Sequence, residues 1–350
     1  MTYNILWASK TGDANSWYHI MPFRKCDLVD KLYVVRYKFP KRLIKDVEYY
    51  TFPNKHFLLE LIYYVLNIIK VLFTKKIDIV VAFNPYPWGF ISFIFAKIMN
   101  KPILLGLIGG ELDPNRSNWI NRKVLLFILK YVNVIMVTGC TTKEYLCDLG
   151  YNPDKIYVFP HLVDEEYLKI NKNETLHSNI IIITSFLPVK RTNDSIEALA
   201  LLIKSGYDFK LTVLGDGPEL IKCKELVEEL GISKNVKFLG FVDDIRPYIN
   251  NSEYYLQTSS SEGLSLALVE SMAVGLIPIV TNVGDEKEII TDQKTGFFIP
   301  VGIPLEIANR IILAESGLKK TILENIELKM KNYSINCSNK FLCEILENTN

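Results

Sequence analysis

Short, unbroken apolar runs recur along this chain and constrain its fold more than any other feature. They stand at residues 4–9 (NILWAS), 78–83 (DIVVAF), 102–107 (PILLGL), 133–138 (NVIMVT), 179–184 (NIIIIT) and 209–215 (FKLTVLG). No polar–apolar alternation interrupts them, so the strands they predict are covered on both faces, as in a parallel sheet. Residues 32–36, 47–52, 236–240, 251–258 and 277–280 read as further strands. Helical stretches between them complete repeated strand–helix units, the pattern of an α/β fold. At 350 residues the chain exceeds what one hydrophobic core supports, so two domains are expected. The polar stretch 164–178 (DEEYLKINKNETLHS) reads as a linker. Domains are therefore expected at 1–170 and 171–330, with a last helix over 331–350 that returns to the first.

Composition narrows the function. Hydrophobic residues make up 49% and charged residues 23%, which excludes a disordered chain. The six cysteines form no C-x-x-C pair and the four histidines are scattered, so idle thiols in a reducing cytoplasm are expected and no metal site. Met1 leads directly into TYNILWAS, which leaves no room there for a secretory signal. The net charge of +1 hides an asymmetry. Residues 1–165 hold 21 basic and 14 acidic side chains, a balance of +7, and residues 166–350 hold 19 and 25, a balance of −6. The basic half suits an anionic surface or substrate. No nucleic-acid recognition motif accompanies it, so a nucleic-acid partner is not expected.

Residues 56–73 (HFLLELIYYVLNIIKVLF) are apolar nearly all round, broken only by Glu60, Asn67 and Lys70. A membrane-spanning helix needs about 20 apolar residues. This run and the shorter 88–99 (WGFISFIFAKIM) are not expected to cross. A helix buried against the sheet is one reading, and an interfacial surface flanked by Lys70, Lys75 and Lys76 is the other.

The stretch that carries chemistry is 259–278, SSSEGLSLALVESMAVGLIP. Ser259 to Ser261 offer N-cap chemistry for a helix running to Gly275, and Gly263 lets a ligand approach the backbone. A helix N-terminus with free amides is an anion site. Glu262 precedes it and Glu270 follows eight residues on, about 12 Å along a helix axis. That spacing suits a ligand with hydroxyls at both ends and a charge between, the shape of a nucleotide sugar.

The ordered run EG(x6)ESMAxGxIP, then TNVG, Glu288-Ile289-Ile290 and TGFFIP, resembles the C-terminal half of family 4 retaining glycosyltransferases, which carry an E-x7-E motif. The resemblance implies the GT-B architecture, two Rossmann-like domains facing across a cleft, and retaining transfer of a hexose from a UDP- or GDP-linked donor. The acceptor it implies is a glycan or lipid-linked molecule, in polysaccharide or glycoconjugate synthesis, and the basic first half with the apolar runs from His56 and Trp88 leads us to expect docking at the inner membrane face. No D-x-D stands in the chain, so neither a metal nor another cofactor is expected. Relatives read G-R-x-x-x-x-K where this chain has Ser185 to Lys190. Lys190 matches the lysine, Ser185 stands in the arginine position, and Arg191 offers a nearby phosphate-binding fork. Glu262 and the amides of Gly263 and Leu264 are then expected to hold the hexose, and Glu270 the ribose, with Ser265 also on the donor side. Gly215, in LGDGPE, and Phe241 and Val242, in the loop that follows VKFLG, are expected beside the nucleotide. On the acceptor side Gly12, Asp13, Gly110 and Glu111 are candidates, with Asp113 beside them. Ordinary loop turns are the competing reading for these positions.

Three rivals stay open: a nucleotide-sugar epimerase of the same architecture, a nicotinamide-dependent oxidoreductase and a non-catalytic carbohydrate-binding protein. The oxidoreductase is disfavoured because Leu220 replaces the third glycine of a dinucleotide fingerprint begun by Gly215 and Gly217, and Pro218 lacks an N–H.

Overall fold

The computed structural model describes residues 2–10, 13–52, 56–83, 85–113, 117–170 and 178–349, with only the main chain at 13–15 and 85. The chain forms two α/β units. The first is Met1–Leu162 together with Ile335–Asn350, and the second is Val163–Ser334.

In the first unit seven strands form one parallel sheet: β1 (Tyr3–Ser9), β2 (Val29–Arg36), β3 (Val47–Thr51), β4 (Ile79–Phe83), β5 (Ile103–Gly106), β6 (Val134–Val137) and β7 (Ile156–Val158). Their order is β3-β2-β1-β4-β5-β6-β7. Ile5, Leu6, Trp7 and Ala8 of β1 are all buried, because β1 is central and has helices over both faces. Helices Phe57–Thr74, Phe90–Ile98 and Trp119–Leu129 follow crossovers that run in one direction across the sheet. Right-handed connection puts all three on the same face, where they pack side by side. Helix Asp13–Lys25 belongs to the crossover that runs the other way, and packs with Ser338–Glu347 on the opposite face.

The apolar run at 56–73 is a helix, Phe57–Thr74, of mean hydropathy 1.8. Tyr64, Ile68, Val71 and Leu72 sink into the core at helical spacing, while most of its other side chains stay in solvent. By length and composition it is the one described helix that could cross a membrane. Its inner face is nonetheless committed to the sheet.

The second unit holds β8 (Asn179–Ile183), β9 (Lys210–Leu214), β10 (Val236–Gly240), β11 (Tyr254–Gln257), β12 (Ile277–Thr281) and β13 (Phe297–Ile299), all parallel, in the order β10-β9-β8-β11-β12-β13. Within each unit the strands thus run third, second, first, fourth, fifth, sixth, the order of a dinucleotide-type doubly wound sheet. The chain enters the second unit at Val163 and leaves it at Ser334. The two residues form a parallel bridge, with Val163 N–H donating to Tyr333 O at 2.7 Å.

The expected linker at 164–178 begins as ordered structure. Asp164 caps a short helix, Glu165–Leu168, by accepting from the Glu166 N–H, and Tyr167 is buried in the second core. A capping carboxylate and one aromatic anchor outweigh the polar composition that suggested a loop. Residues 171–177 lie outside the described residues.

Candidate functional site

In a doubly wound sheet the ligand crevice lies beyond the carboxyl ends of the strands, where the order reverses. In the second unit that point falls between β8 and β11. The loops leaving these strands carry Lys190 and Glu262, and the structure brings the two together. Lys190 Nζ donates to Glu262 Oε1 in a short contact, and Ser259 Oγ donates to the same oxygen at 2.7 Å. Both side chains are largely buried. The loops are also tied by main chain: Ser260 N–H donates to Val189 O at 2.8 Å, and Thr258 Oγ1 donates to Arg191 O at 2.9 Å.

Arg191 points elsewhere. Its backbone is left-handed (φ 47°), and its guanidinium grips Asp194 with two bonds of 2.7 and 2.9 Å. The fork suited to phosphate is filled by a buried carboxylate three residues on. Ser185 is exposed, and its carbonyl lies where a Cβ on Gly217 would stand, at 2.0 Å. A Cβ on Gly215 would meet Thr184 O at 1.7 Å. The GDGP turn can therefore lie against the β8 loop only because both residues are glycines. Beyond it Phe241 is 77% exposed in the loop after β10, with Val242 half-buried beside it.

The Glu262–Gly263 loop rests on the loop that follows β12. Asp285 N–H donates to Gly263 O at 3.1 Å. Gly284, at φ 59°, sits so close that a Cβ would lie 2.3 Å from Glu262 O. The helix begins later than the serine run suggests. It spans Leu266–Ala273, and its cap is Ser265, whose Oγ accepts from Leu268 N–H at 3.4 Å. Ser259 is not free to cap, since its hydroxyl is spent on Glu262. The 12 Å axial estimate from Glu262 to Glu270 fails for the same reason, because the first part of that span is loop. Gly275 (φ 85°) closes the helix: its N–H reaches Met272 O, and Leu276 N–H reaches Ser271 O. Glu270 is buried within it.

Beneath the loop runs a buried polar chain that sequence reasoning missed. Gln257 Nε2 donates to Glu286 Oε1 at 2.5 Å, and Tyr255 OH donates to Gln257 Oε1 at 3.1 Å. Burial pushes the Glu286 carboxyl well above the usual carboxylate range, against the Gln257 bond, and the Glu262 charge adds to the rise. Glu286 thus lies at the floor of the site with its charged form disfavoured by burial. Its only sequence signal was an acid at the end of an apolar strand.

In the first unit Gly12 and the Asp13 side chain lie outside the described residues. Gly110 takes φ 79°, and Glu111 folds back on its own loop, its Oε1 accepting from Ile108 N–H at 3.1 Å. At the carboxyl edge of this sheet, His19 and His161 approach with ring centroids 5.2 Å apart, His19 stacking on Phe83. Both line a void of about 10 Å³. Desolvation holds His161 down to about 4, and desolvation with the His161 charge holds His19 well below its ordinary value. They are far apart in sequence, and nothing in their spacing announced the pair. Among the described residues no cluster of three or more histidine, cysteine or carboxylate groups could hold a metal.

Known proteins match this arrangement. The model of glycosyl transferases group 1 matches residues 164–326, and that of glycosyltransferase family 4 matches residues 30–167. The chain is similar to protein CapJ of Staphylococcus aureus, 27% identical over 269 residues, 72% of this chain and 67% of that protein. It is similar to N-acetyl-alpha-D-glucosaminyl L-malate synthase of Bacillus anthracis, 36% identical over 133 residues, 38% of this chain and 35% of that protein. The matched stretches thus span about one third to two thirds of these relatives. Among solved structures it resembles Anabaena HepE in complex with UDP, with a TM-score of 0.80 at 19% identity, covering 98% of this chain and 99% of that one. A glycosyltransferase from Rickettsia africae aligns with a TM-score of 0.79 at 20% identity, covering 99% and 98%. Two matching family models that together run from residue 30 to residue 326, over two parallel sheets of the same strand order, make this chain a member of the family 4 glycosyltransferases, with the GT-B architecture.

Proposed function

We propose that the chain transfers a hexose from a nucleotide sugar, UDP- or GDP-linked, to a glycan or lipid-linked acceptor at the inner face of the membrane. Anomeric configuration is retained and no metal takes part, in the synthesis of cell-surface polysaccharide or glycoconjugate. The observation that carries this reading is the Lys190–Glu262 pair at the point where the second sheet reverses. A cation and a carboxylate held side by side there suit the two halves of one donor. Lys190 takes the diphosphate oxygens and stabilises the charge that grows as the sugar–phosphate bond breaks. Glu262 turns to the hexose hydroxyls, with the main chain of Gly263 and Leu264 beside it. Ser265 fixes the helix start, Glu270 accepts from the ribose hydroxyls, and Phe241 and Val242 flank the base. Arg191 acts at one remove, by holding the turn that presents Lys190. HepE was solved with UDP, which makes a uridine donor the first to test.

Titration with UDP and with UDP-hexoses, alongside turnover, tests the assignment. Glu270→Ala should weaken UDP and UDP-hexose alike, and Glu262→Ala should spare UDP while turnover falls. A hydrogen bond to a charged group contributes about 1.5–3 kcal/mol, so each loss should be roughly ten- to hundredfold. Equal loss of UDP affinity in both variants contradicts the division of roles.

A further inference from the structure

Helix Phe57–Thr74 is amphipathic in the wrong sense for a surface helix. Its one carboxylate, Glu60, points inward and pairs with Lys10 at 2.5 Å. Its outward stripe is Leu59, Ile62, Tyr63, Leu66 and Phe73, interrupted by Lys70, and Leu58 beside it is 70% exposed. The neighbouring helices continue the theme on the same face of the sheet. Ile98 is 69% exposed at the end of Phe90–Ile98. On Trp119–Leu129 and the residues after it, Trp119, Lys123, Phe127 and Tyr131 form an outward row at intervals of four, with Lys123 Nζ 4.9 Å from the Trp119 ring. Across the three helices there are four basic residues, Lys70, Lys97, Arg122 and Lys123, and no carboxylate besides the inward Glu60. An apolar face of this extent marks an interaction surface.

We propose that this three-helix face docks on an anionic lipid bilayer, with Phe57–Thr74 lying flat in the headgroup layer. The proposal rests on the lipid-acceptor reading for its purpose, though not for its physics. Apolar and aromatic side chains interleaved with lysines, and without exposed carboxylates, fit an interface where the rings sit at headgroup depth and the ammonium groups reach the phosphates. Spanning is excluded in this fold, because Tyr64, Ile68, Val71 and Leu72 are in the core and Glu60 is ion-paired. A second copy of the chain fits less well, since a two-fold contact would bring the lysine-bearing face against itself.

Flotation of the full chain with phosphatidylcholine vesicles, with and without phosphatidylglycerol, tests this at low and moderate salt. The wild type should float with the anionic vesicles and be released by salt. Ile62→Ser with Leu66→Ser should abolish flotation. Lys70→Gln with Lys123→Gln should weaken it, roughly fivefold per lysine. All four positions are exposed, so the unfolding midpoint should stay at the wild-type value. Lack of flotation at low salt overturns the proposal, as does flotation that neither pair of changes reduces. A concentration-dependent dimer that Ile62→Ser with Leu66→Ser dissolves, without vesicle binding, also overturns it and assigns the face to a second copy. Thermal shifts with UDP and with GDP on the same samples keep the two readings apart. Flotation with a shift from neither nucleotide removes the donor reading alone, and nucleotide binding without flotation removes the docking face alone.

Discussion

Replacing Gly284 by alanine should disable the site without touching a side chain in it. The glycine sits at φ 59°, where alanine carries left-handed strain of roughly 1–2 kcal/mol. Its Cβ would stand 2.3 Å from Glu262 O and 2.7 Å from Gly263 O. These are main-chain atoms, with no rotamer to turn away. Ordinary contact begins at 3.4 Å, so one loop must retreat by about 1.1 Å. Overpacking of this kind costs a further 1–3 kcal/mol or so, for a total of about 2–5 kcal/mol. Glu262 O is the nearest atom, so the loop holding Glu262 is expected to give way, and a displacement near 1 Å at a reacting centre can cost about a hundredfold in rate. Gly231→Ala is the control. Its φ is 68° and nothing lies within 4 Å of the added methyl, so it pays the strain alone. Thermal unfolding and UDP-hexose turnover of the two variants give the comparison. Gly284→Ala should be the less stable, with turnover down about a hundredfold, while Gly231→Ala keeps its rate. If the two variants match in both measurements, the loop after β12 does not position Glu262.

Lys190→Ala should abolish transfer and weaken UDP. Arg191→Ala should leave UDP affinity within about threefold while costing roughly 1–3 kcal/mol of stability, since Asp194 loses a two-bond partner that is itself partly solvated. A tenfold or larger loss of UDP affinity in Arg191→Ala would return that residue to the diphosphate. The two histidines make a prediction about acid. Both are neutral in the fold, whereas an unfolded histidine titrates near 6.5, so below that pH the unfolded chain gains protons that the native chain refuses. Stability should therefore fall as pH drops from about 6.5 towards 4, by about 1.4 kcal/mol per unit for each imidazole. Chemical denaturation across that range, with His19→Gln and His161→Gln alongside, reads the slope, and an unchanged slope in both variants refutes the assignment.

What the sequence showed, and what it hid, divides along one line. The strands were readable because a parallel strand covered on both faces is apolar along its length, as in NIIIIT and NVIMVT. Lys190 and Glu262 were readable as candidates because the runs that hold them, Ser185 to Lys190 and EG(x6)ESMAxGxIP, resemble motifs of the family. Their pairing was not, since it depends on which strands lie side by side. Side chains with two possible partners were decided by folding: Ser259 went to Glu262 and left the cap to Ser265, and Arg191 went to Asp194. The Asp194 outcome had a local signal, an acid three residues after the arginine. Glu286 had only its place after an apolar strand, and His19 and His161 had none. Their character comes from desolvation by residues remote in the chain. The face of Phe57–Thr74 was hidden for another reason. A helix apolar nearly all round has little periodicity to say which side turns inward.

The contact between Lys190 and Glu262 bears on what a ligand must bring to this site. Each charge is answered by the other, and the carboxylate also accepts from Ser259. A ligand that offers only an anion, such as inorganic phosphate, would take the lysine from a largely buried carboxylate that keeps its Ser259 bond but loses its counter-charge. A neutral sugar that offers only hydroxyls does the reverse. The pair opens at least cost to a molecule that brings a negative charge and a hydroxyl donor at once, on one scaffold. If Lys190 takes the diphosphate and Glu262 the hexose, as proposed, the contact would act as a coincidence detector, favouring the whole donor over either half.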